Sequence, residues 1–361
     1  MVRQIHRWAG GLLGVVLVLV GLSGALLAQR HHWIVLDGQS TATPLRSADL
    51  IATIASRRDL DARFVILPNE DFAYARVMTT GEGGAYVTAA GEVAERWTSR
   101  WARPEERLFD LHATLLLGAS GETINGVLAL VGIAFLVTGI ILWWPSRRLF
   151  ALRPWPRRLD RARIVHHHRD LGLLSAPLLL VALLTGAILT LRPLSAGLML
   201  LFSSPAELSR PDAPPPIVSA GLAQDFDWGA AFDAAQNQFP KAIVRVVGIP
   251  RAADQPVMIR MRQPGEWVER GQSMVWLHPQ TGEILHVRDG HQVPQGRKAY
   301  FSMLPMHTGD VGGELWRAAI TLAGVVLTAL GGFTTWTFWR SRLGPARPRR
   351  RPREPASALQ P

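Results

Sequence analysis

Four runs of mostly apolar residues frame this chain, because a helix of about 20 such residues crosses a bilayer core of about 30 Å. They run from about Ile5 to Ala28, Ile124 to Trp144, Leu171 to Leu191 and Leu315 to Trp339. The first carries no charge after Arg7; the fourth has Arg317 near one end, within expected reach of headgroups. Trp8, Trp33, Trp143, Trp144, Trp316, Trp336 and Trp339 gather at the ends, the pattern of an interfacial belt. A basic start and an apolar run also describe a signal peptide. Here the run outlasts a usual signal core and is followed by Gln29-Arg30-His31-His32, not a small-residue cleavage site, so a retained span is expected.

Charge placement orients the spans. The net charge is +11 over 361 residues, and its arginines sit in three places. Arg3 and Arg7 precede the first span. Arg147, Arg148, Arg153, Arg157, Arg158, Arg161, Arg163 and Arg169 lie between the second and third. Arg340, Arg342, Arg347, Arg349, Arg350, Arg351 and Arg353 follow the fourth. The positive-inside rule puts all three on the cytoplasmic side, which predicts a multi-pass protein of the bacterial inner membrane with both termini inside. The basic excess is thereby a topology signal, the partner is the lipid bilayer, and nucleic acid is not expected. An apolar content of 48% argues against disorder, and the absence of Cys excludes disulfides and thiolate metal sites.

The two external connections are too long for simple loops. The first has a helix-like stretch at Ser47–Ile54, then strand-like runs at Ala73–Met78 and Ala85–Thr88 around the turn Thr80–Gly84. The second opens on a Pro-rich linker (Arg210–Pro216). It continues with a helix-like stretch at Trp228–Gln238, strands near Ala242–Val247, Val257–Arg262 and Ser273–Leu277, and a turn at Pro279–Glu283. Each reads as a small periplasmic α+β domain. The expected organisation is span 1 (1–30), external domain 1 (31–110), a His segment with span 2 (111–145), and an Arg-rich cytoplasmic loop (146–168). Span 3 (169–192), linker and external domain 2 (193–304), a His segment with span 4 (305–340) and a basic cytoplasmic tail (341–361) complete it.

An internal repeat organises these pieces. His6-Arg7-Trp8-Ala9-Gly10-Gly11 matches His168-Arg169-Asp170-Leu171-Gly172, and Leu22-Ser23-Gly24-Ala25 matches Leu184-Thr185-Gly186-Ala187. Leu111-His112-Ala113-Thr114 stands before span 2 as Met306-His307-Thr308-Gly309 stands before span 4. The chain reads as two copies of one unit, with equal orientation because each copy holds an even number of spans.

The repeat singles out four of the eleven histidines. His6 and His168 fall at the cytoplasmic ends of spans 1 and 3, His112 and His307 at or before the outer ends of spans 2 and 4. Ionisable groups at membrane depth usually face a bundle interior or a functional cavity. Imidazole suits iron or copper, and a low-spin haem takes two axial ligands. A pseudo-twofold four-helix bundle offers one pair per face, so two haems per chain are expected. Arg7 and Arg169 are placed to meet propionates, and Gly10, Gly11, Gly14 and Gly172 to leave room for a flat macrocycle. Any one of these histidines alone reads as an interfacial residue bonded to headgroups. His166 and His167 are alternative inner ligands. His31 and His32 lack a counterpart after span 3 and read as surface residues, as do His278, His286 and His291. Met303 and Met306, unmatched in the repeat, read as packing or substrate-side residues. The sequence has no dinucleotide-binding, Walker A or GxSxG motif, and no residue is assigned a catalytic role.

The segments 6–14 (HRWAGGLLG), 111–118 (LHATLLLG), 138–148 (TGIILWWPSRR), 167–187 (HHRDLGLLSAPLLLVALLTGA) and 305–310 (PMHTGD) together resemble the PepSY-associated transmembrane helix family. The turn 277–284 (LHPQTGEI) is similar to the hairpin of the PepSY module. The resemblance spans roughly residues 1–342. It implies an α-helical membrane protein, four transmembrane helices internally duplicated, with two small periplasmic PepSY-like domains. Such members resemble ferric-siderophore reductases that hold haem b between their helices. Carried over, the haem ligands are His6, His112, one of His166 to His168, and His307. The implied acceptor is a ferric siderophore; the donor, quinol or a cytoplasmic reductase, stays open. A non-redox PepSY-type regulatory protein and a transporter component are the rival readings. The spans carry no acidic residue at the midplane, which weighs against transport.

Overall fold

Unbroken apolar sequence satisfies its backbone internally as helix, and the computed structural model forms one at each run. It describes residues 1–34, 36, 43–151, 156, 159–217 and 221–343; Arg153, Arg157, Arg158, Arg347, Arg349, Arg350, Arg351 and Arg353 lie outside them. In chain order the helices and strands are α1 (Val2–Ala28), α2 (Arg30–Trp33), α3 (Ser47–Ser56), β1 (Ala62–Ile66), β2 (Ala75–Thr79), β3 (Gly84–Val87) and β4 (Val93–Trp97). Then come α4 (Pro104–Thr114), α5 (Gly118–Trp143), α6 (Arg161–Thr190), α7 (Arg192–Phe202), α8 (Pro205–Leu208) and α9 (Trp228–Gln238). The chain continues through β5 (Ile243–Gly248), β6 (Val257–Arg262), β7 (Ser273–Leu277), β8 (Ile284–Arg288), α10 (Gln295–Thr308) and α11 (Gly313–Leu343). α1, α5, α6 and α11 are long and apolar enough to cross a membrane.

Small residues set the helix contacts, as in lipid, where close backbone approach replaces hydrophobic exclusion. A Cβ on Gly21 would sit 2.8 Å from the Gly324 carbonyl, and one on Gly331 3.0 Å from the Gly14 carbonyl. Glycines seven residues apart on α1 thus meet glycines seven apart on antiparallel α11. Leu179 and Leu183 of α6 pack with Ala323, Val326 and Leu330 of α11 at the bundle centre.

The two external regions do not stand apart as separate domains. Their eight strands form one antiparallel sheet in the order β4-β3-β2-β1-β5-β6-β7-β8, palindromic about the β1/β5 pair, where Val65 faces Val247. β1, β4 and β8 extend the strands read from sequence. Alternation along each strand sends Val65, Val77, Val87, Val247, Ile259, Met261 and Val275 to one face, where they share a single core with α3 and α9. The other face carries Ile66, Arg76 and Tyr86, which point to the bundle side and line a cavity there. Ahead of the Pro-rich linker the chain forms α7, an apolar helix the sequence reading lacked.

Arg317 does not reach toward headgroups. It is 7% exposed and donates to Asp71 (2.9 Å), Glu314 (2.6 Å) and His31 Nε2 (2.9 Å). His31 is accordingly half-buried at the junction of sheet and bundle, not a surface residue. Burial, and after it the Arg317 charge, hold its pKa below the ordinary imidazole value, in keeping with a neutral ring that accepts from arginine.

Because the halves share one core, Val247→Asp should expose both to proteolysis together, a buried unpaired charge being severely destabilising. Limited proteolysis of the detergent-purified chain checks this. Cleavage confined to 221–294, with 43–103 protected, would show two independent domains.

Candidate functional site

Each of the four repeat-matched histidines is held by the same device. His6 Nδ1 lies 2.8 Å from Thr138 Oγ1, and His168 Nδ1 3.1 Å from Thr334 Oγ1. His112 Nδ1 is 3.0 Å from the Val20 carbonyl and 3.3 Å from Ser23 Oγ; His307 Nδ1 is 3.1 Å from the Ala182 carbonyl and 3.0 Å from Thr185 Oγ1. Every one of these hydroxyls donates its own proton to a carbonyl one turn back: Ser23 to Leu19, Thr138 to Ala134, Thr185 to Val181, Thr334 to Leu330. The hydroxyl oxygens therefore accept from the rings, and the network assigns the imidazole proton to Nδ1. A neutral ring has one N–H, so Nε2 keeps its lone pair. None of the four Nε2 atoms has a hydrogen-bond partner among the described residues.

The rings meet in two couples. His6 on α1 and His168 on α6 have centroids 6.2 Å apart, at the end of the bundle that holds the N-terminus. His112 on α4 and His307 on α10 are 5.9 Å apart at the sheet end. Two metal–imidazole bonds of about 2 Å each, plus the half-widths of the rings, place centroids about 6 Å apart across one metal. Each couple lines its own cavity, of about 1110 Å³ at the terminal end and about 440 Å³ at the sheet end. Leu17, Leu179, Leu183 and Leu327 line both, so one layer of leucine divides them. No three His, Asp or Glu side chains converge among the described residues. Two opposed imidazoles per cavity suit an iron that brings its equatorial ligands with it, and the donor set fits haem.

Comparison with known proteins decides the family, because the model of the PepSY-associated TM region matches residues 3–342. The chain belongs to the PepSY-associated TM family. It is a multi-pass membrane protein of that family by both its match and its four apolar helices. No curated protein matches the chain.

In this PepSY-associated TM protein the residues singled out by sequence are placed as follows. Of the three consecutive histidines on α6, His168 faces His6; His167 is fully buried against Phe333, and His166 is exposed at the rim of the terminal-end cavity. Arg7 and Arg169 both line that cavity, but Arg169 donates to Asp170 (2.7 Å) and to the Leu149 carbonyl (2.9 Å). Gly10, Gly14 and Gly172 line it as well. Gly11 does not: the space beside it is filled by the Phe338 ring. Neither Met303 nor Met306 lines the sheet-end cavity, whereas His31 does.

The anchoring hydroxyls were missed by sequence reasoning. Ser23 and Thr185 stand inside the matched LSGA/LTGA segments and carried a readable signal. Thr138 and Thr334 do not align in the repeat and carried none. The neighbouring glycines seat the rings: a Cβ on Gly24 would lie 2.7 Å from His112 Cε1, and one on Gly186 3.2 Å from His307 Cε1. Gly24→Ala should thus destabilise by about 1–3 kcal/mol through overpacking, and Gly186→Ala by less. Denaturant unfolding in detergent measures both. Equal, negligible effects would mean the rings are not seated on these glycines.

Proposed function

We propose that this protein is a b-type haem oxidoreductase of the inner membrane. In this reading it carries electrons from the cytoplasmic side to an acceptor on the outer side, a ferric siderophore. The observation supporting it most is the fourfold use of an Nδ1-anchored, Nε2-open imidazole in two couples, with ring centroids 6.2 and 5.9 Å apart. The arginine-rich end is read as cytoplasmic, the sheet end as periplasmic, and the chain as a duplication of one span–domain–span unit.

His6 with His168, and His112 with His307, would each hold one haem through their open Nε2 atoms. Haem supplies one-electron exchange at its iron. The rest falls to the chain. Donation from each Nδ1–H to a carbonyl or hydroxyl fixes the ring plane and raises the basicity of Nε2. Arg7, which makes no hydrogen bond among the described residues, presents a guanidinium to the terminal-end cavity, where a propionate would meet it. The shared layer of Leu17, Leu179, Leu183 and Leu327 places an apolar partition between the two sites. The sheet-end cavity reaches from His112 and His307 to Ile66, Tyr86 and Arg76 on the sheet, so an acceptor can approach from the sheet side. Reduction of the bound Fe(III) to Fe(II) by one electron weakens its hold on hard oxygen ligands and frees the metal. The electron is supplied by quinol or by a cytoplasmic reductase.

The protein purified from haem-replete cells should give a low-spin b-type spectrum and about two haems per chain by pyridine haemochrome assay, one per imidazole couple. His112→Ala and His307→Ala should each halve the haem content, with the same haem lost in both. A colourless protein, or full haem content in either variant, would sink the proposal and favour the non-redox regulatory reading.

A further inference from the structure

The sheet-end cavity also contains a side chain that the histidine couples do not explain. The two halves of the sheet differ most at one connection: residues 80–83 join β2 to β3, but residues 263–272 join β6 to β7. The longer loop is fixed in shape. Glu266, 6% exposed, accepts from the Gln272 amide (2.8 Å) and Ser273 Oγ (2.8 Å). Arg262 Nε donates to the Glu266 carbonyl (3.2 Å) and Arg260 Nε to the Gly271 carbonyl (2.8 Å). Gly271 has φ +74°, and any Cβ there would run into the Met261 carbonyl, so only glycine closes the loop. Glu269 accepts from Asn69 Nδ2, which clasps the loop to the other half of the sheet.

This rigid loop delivers Arg270 into the cavity shared by His112 and His307. Arg270 is an exposed residue at the cavity; desolvation by the surrounding atoms, and then the charges of Arg30 and Arg76, hold its guanidinium below the ordinary arginine range. It makes no hydrogen bond and no ion pair among the described residues. Four acids of the cavity have other hydrogen-bond partners, and two of them, Glu269 and Asp310, still act on Arg270 by charge. Asp71 pairs with Arg317, Glu105 with Arg103, Glu269 accepts from Asn69, and Asp310 accepts from Thr308 Oγ1 at 2.7 Å. Arg76 is itself paired with Glu106. Five N–H donors in a planar fork therefore line a space whose apolar walls include Leu17, Leu27, Ile66, Phe72 and Phe109, beside the polar residues Asn69, Arg76, Glu122 and Asp310.

We infer that Arg270 is a carboxylate-binding residue, and that the sheet-end cavity takes a largely apolar molecule bearing that carboxylate. The fork matches a carboxylate bidentately, and the walls match an apolar body. Two sources share this chemistry: a propionate of a resident haem, which rests on the function proposed above, and a carboxylate of an incoming acceptor, which does not require it.

Fluorescence titration of the full-length protein in detergent with 2-naphthoate, in haem-free and haem-loaded forms, tests the assignment, together with titration of the haem-free form with haem and with its dimethyl ester. Arg270→Gln should weaken naphthoate binding to the haem-free protein about tenfold or more, with Arg270→Lys between the two because the fork is lost and the charge kept. If the source is a propionate, haem loading blocks naphthoate, and Arg270→Gln abolishes the preference for haem over its diester. If the source is an acceptor, naphthoate still binds the haem-loaded protein in an Arg270-dependent way. Unchanged naphthoate binding and unchanged diester discrimination in Arg270→Gln would overturn the inference. Failure of the protein to bind haem, with naphthoate binding still Arg270-dependent, would overturn only the proposed function.

Discussion

An imidazole carried into an apolar bundle must place its N–H on an acceptor, since an unpaired polar group there costs about 1–3 kcal/mol. This constraint governs the interior of the protein. Helix carbonyls are already bonded along their own helices, but each retains a second lone pair, and a serine or threonine that bonds back to its own helix offers a further one. His112 and His307 use both kinds of acceptor, while His6 and His168 rest on threonine hydroxyls. Once Nδ1 is committed across to a neighbouring helix, the ring is held in place and Nε2 keeps its lone pair. The two couples and their cavities follow from where those acceptors stand.

The same economy of polar contacts joins the sheet to the bundle. Arg317 enters the apolar helix α11 near its start, where a lone guanidinium would be costly. Asp71 from the β1–β2 connection, His31 from α2 and Glu314 from α11 itself surround it. Three parts of the chain are thereby drawn to one point beside the sheet-end cavity. With Arg76 and Tyr86 on the facing side of the sheet, this junction makes the sheet a roof over His112 and His307, not an appendage.

Much of this was legible in sequence because it depends on local pattern. Apolar runs gave the four spans, and Trp228–Gln238, Val257–Arg262 and Ser273–Leu277 were read with their observed limits. The four histidines were found because they recur in register, and the structure brings them together in the couples expected from that register. What was not legible depends on non-local meeting. The joining of eight strands in one sheet rests on the Val65–Val247 pairing across almost two hundred residues, and neither strand's composition announces its partner. Thr138 and Thr334 look like ordinary span residues until the histidines they serve are placed beside them. Arg317 and His31 were misread for the same reason: each was judged against lipid and solvent, while its actual partners come from a distant loop.

Likeness and difference between the two halves carry separate information. A site formed of two facing imidazoles needs equal support from both sides, and the halves supply it. Ser23 and Thr185 anchor the sheet-end rings, Gly24 and Gly186 seat them, and α3 and α9 back the sheet. The halves are not alike throughout. The ten-residue loop of 263–272 against the four residues of 80–83 is such a difference, and it carries an arginine, Arg270, that lines the cavity of the two histidines. The residues alike in both halves thus surround the two couples, while the longer loop adds its contacts to the sheet-end cavity alone.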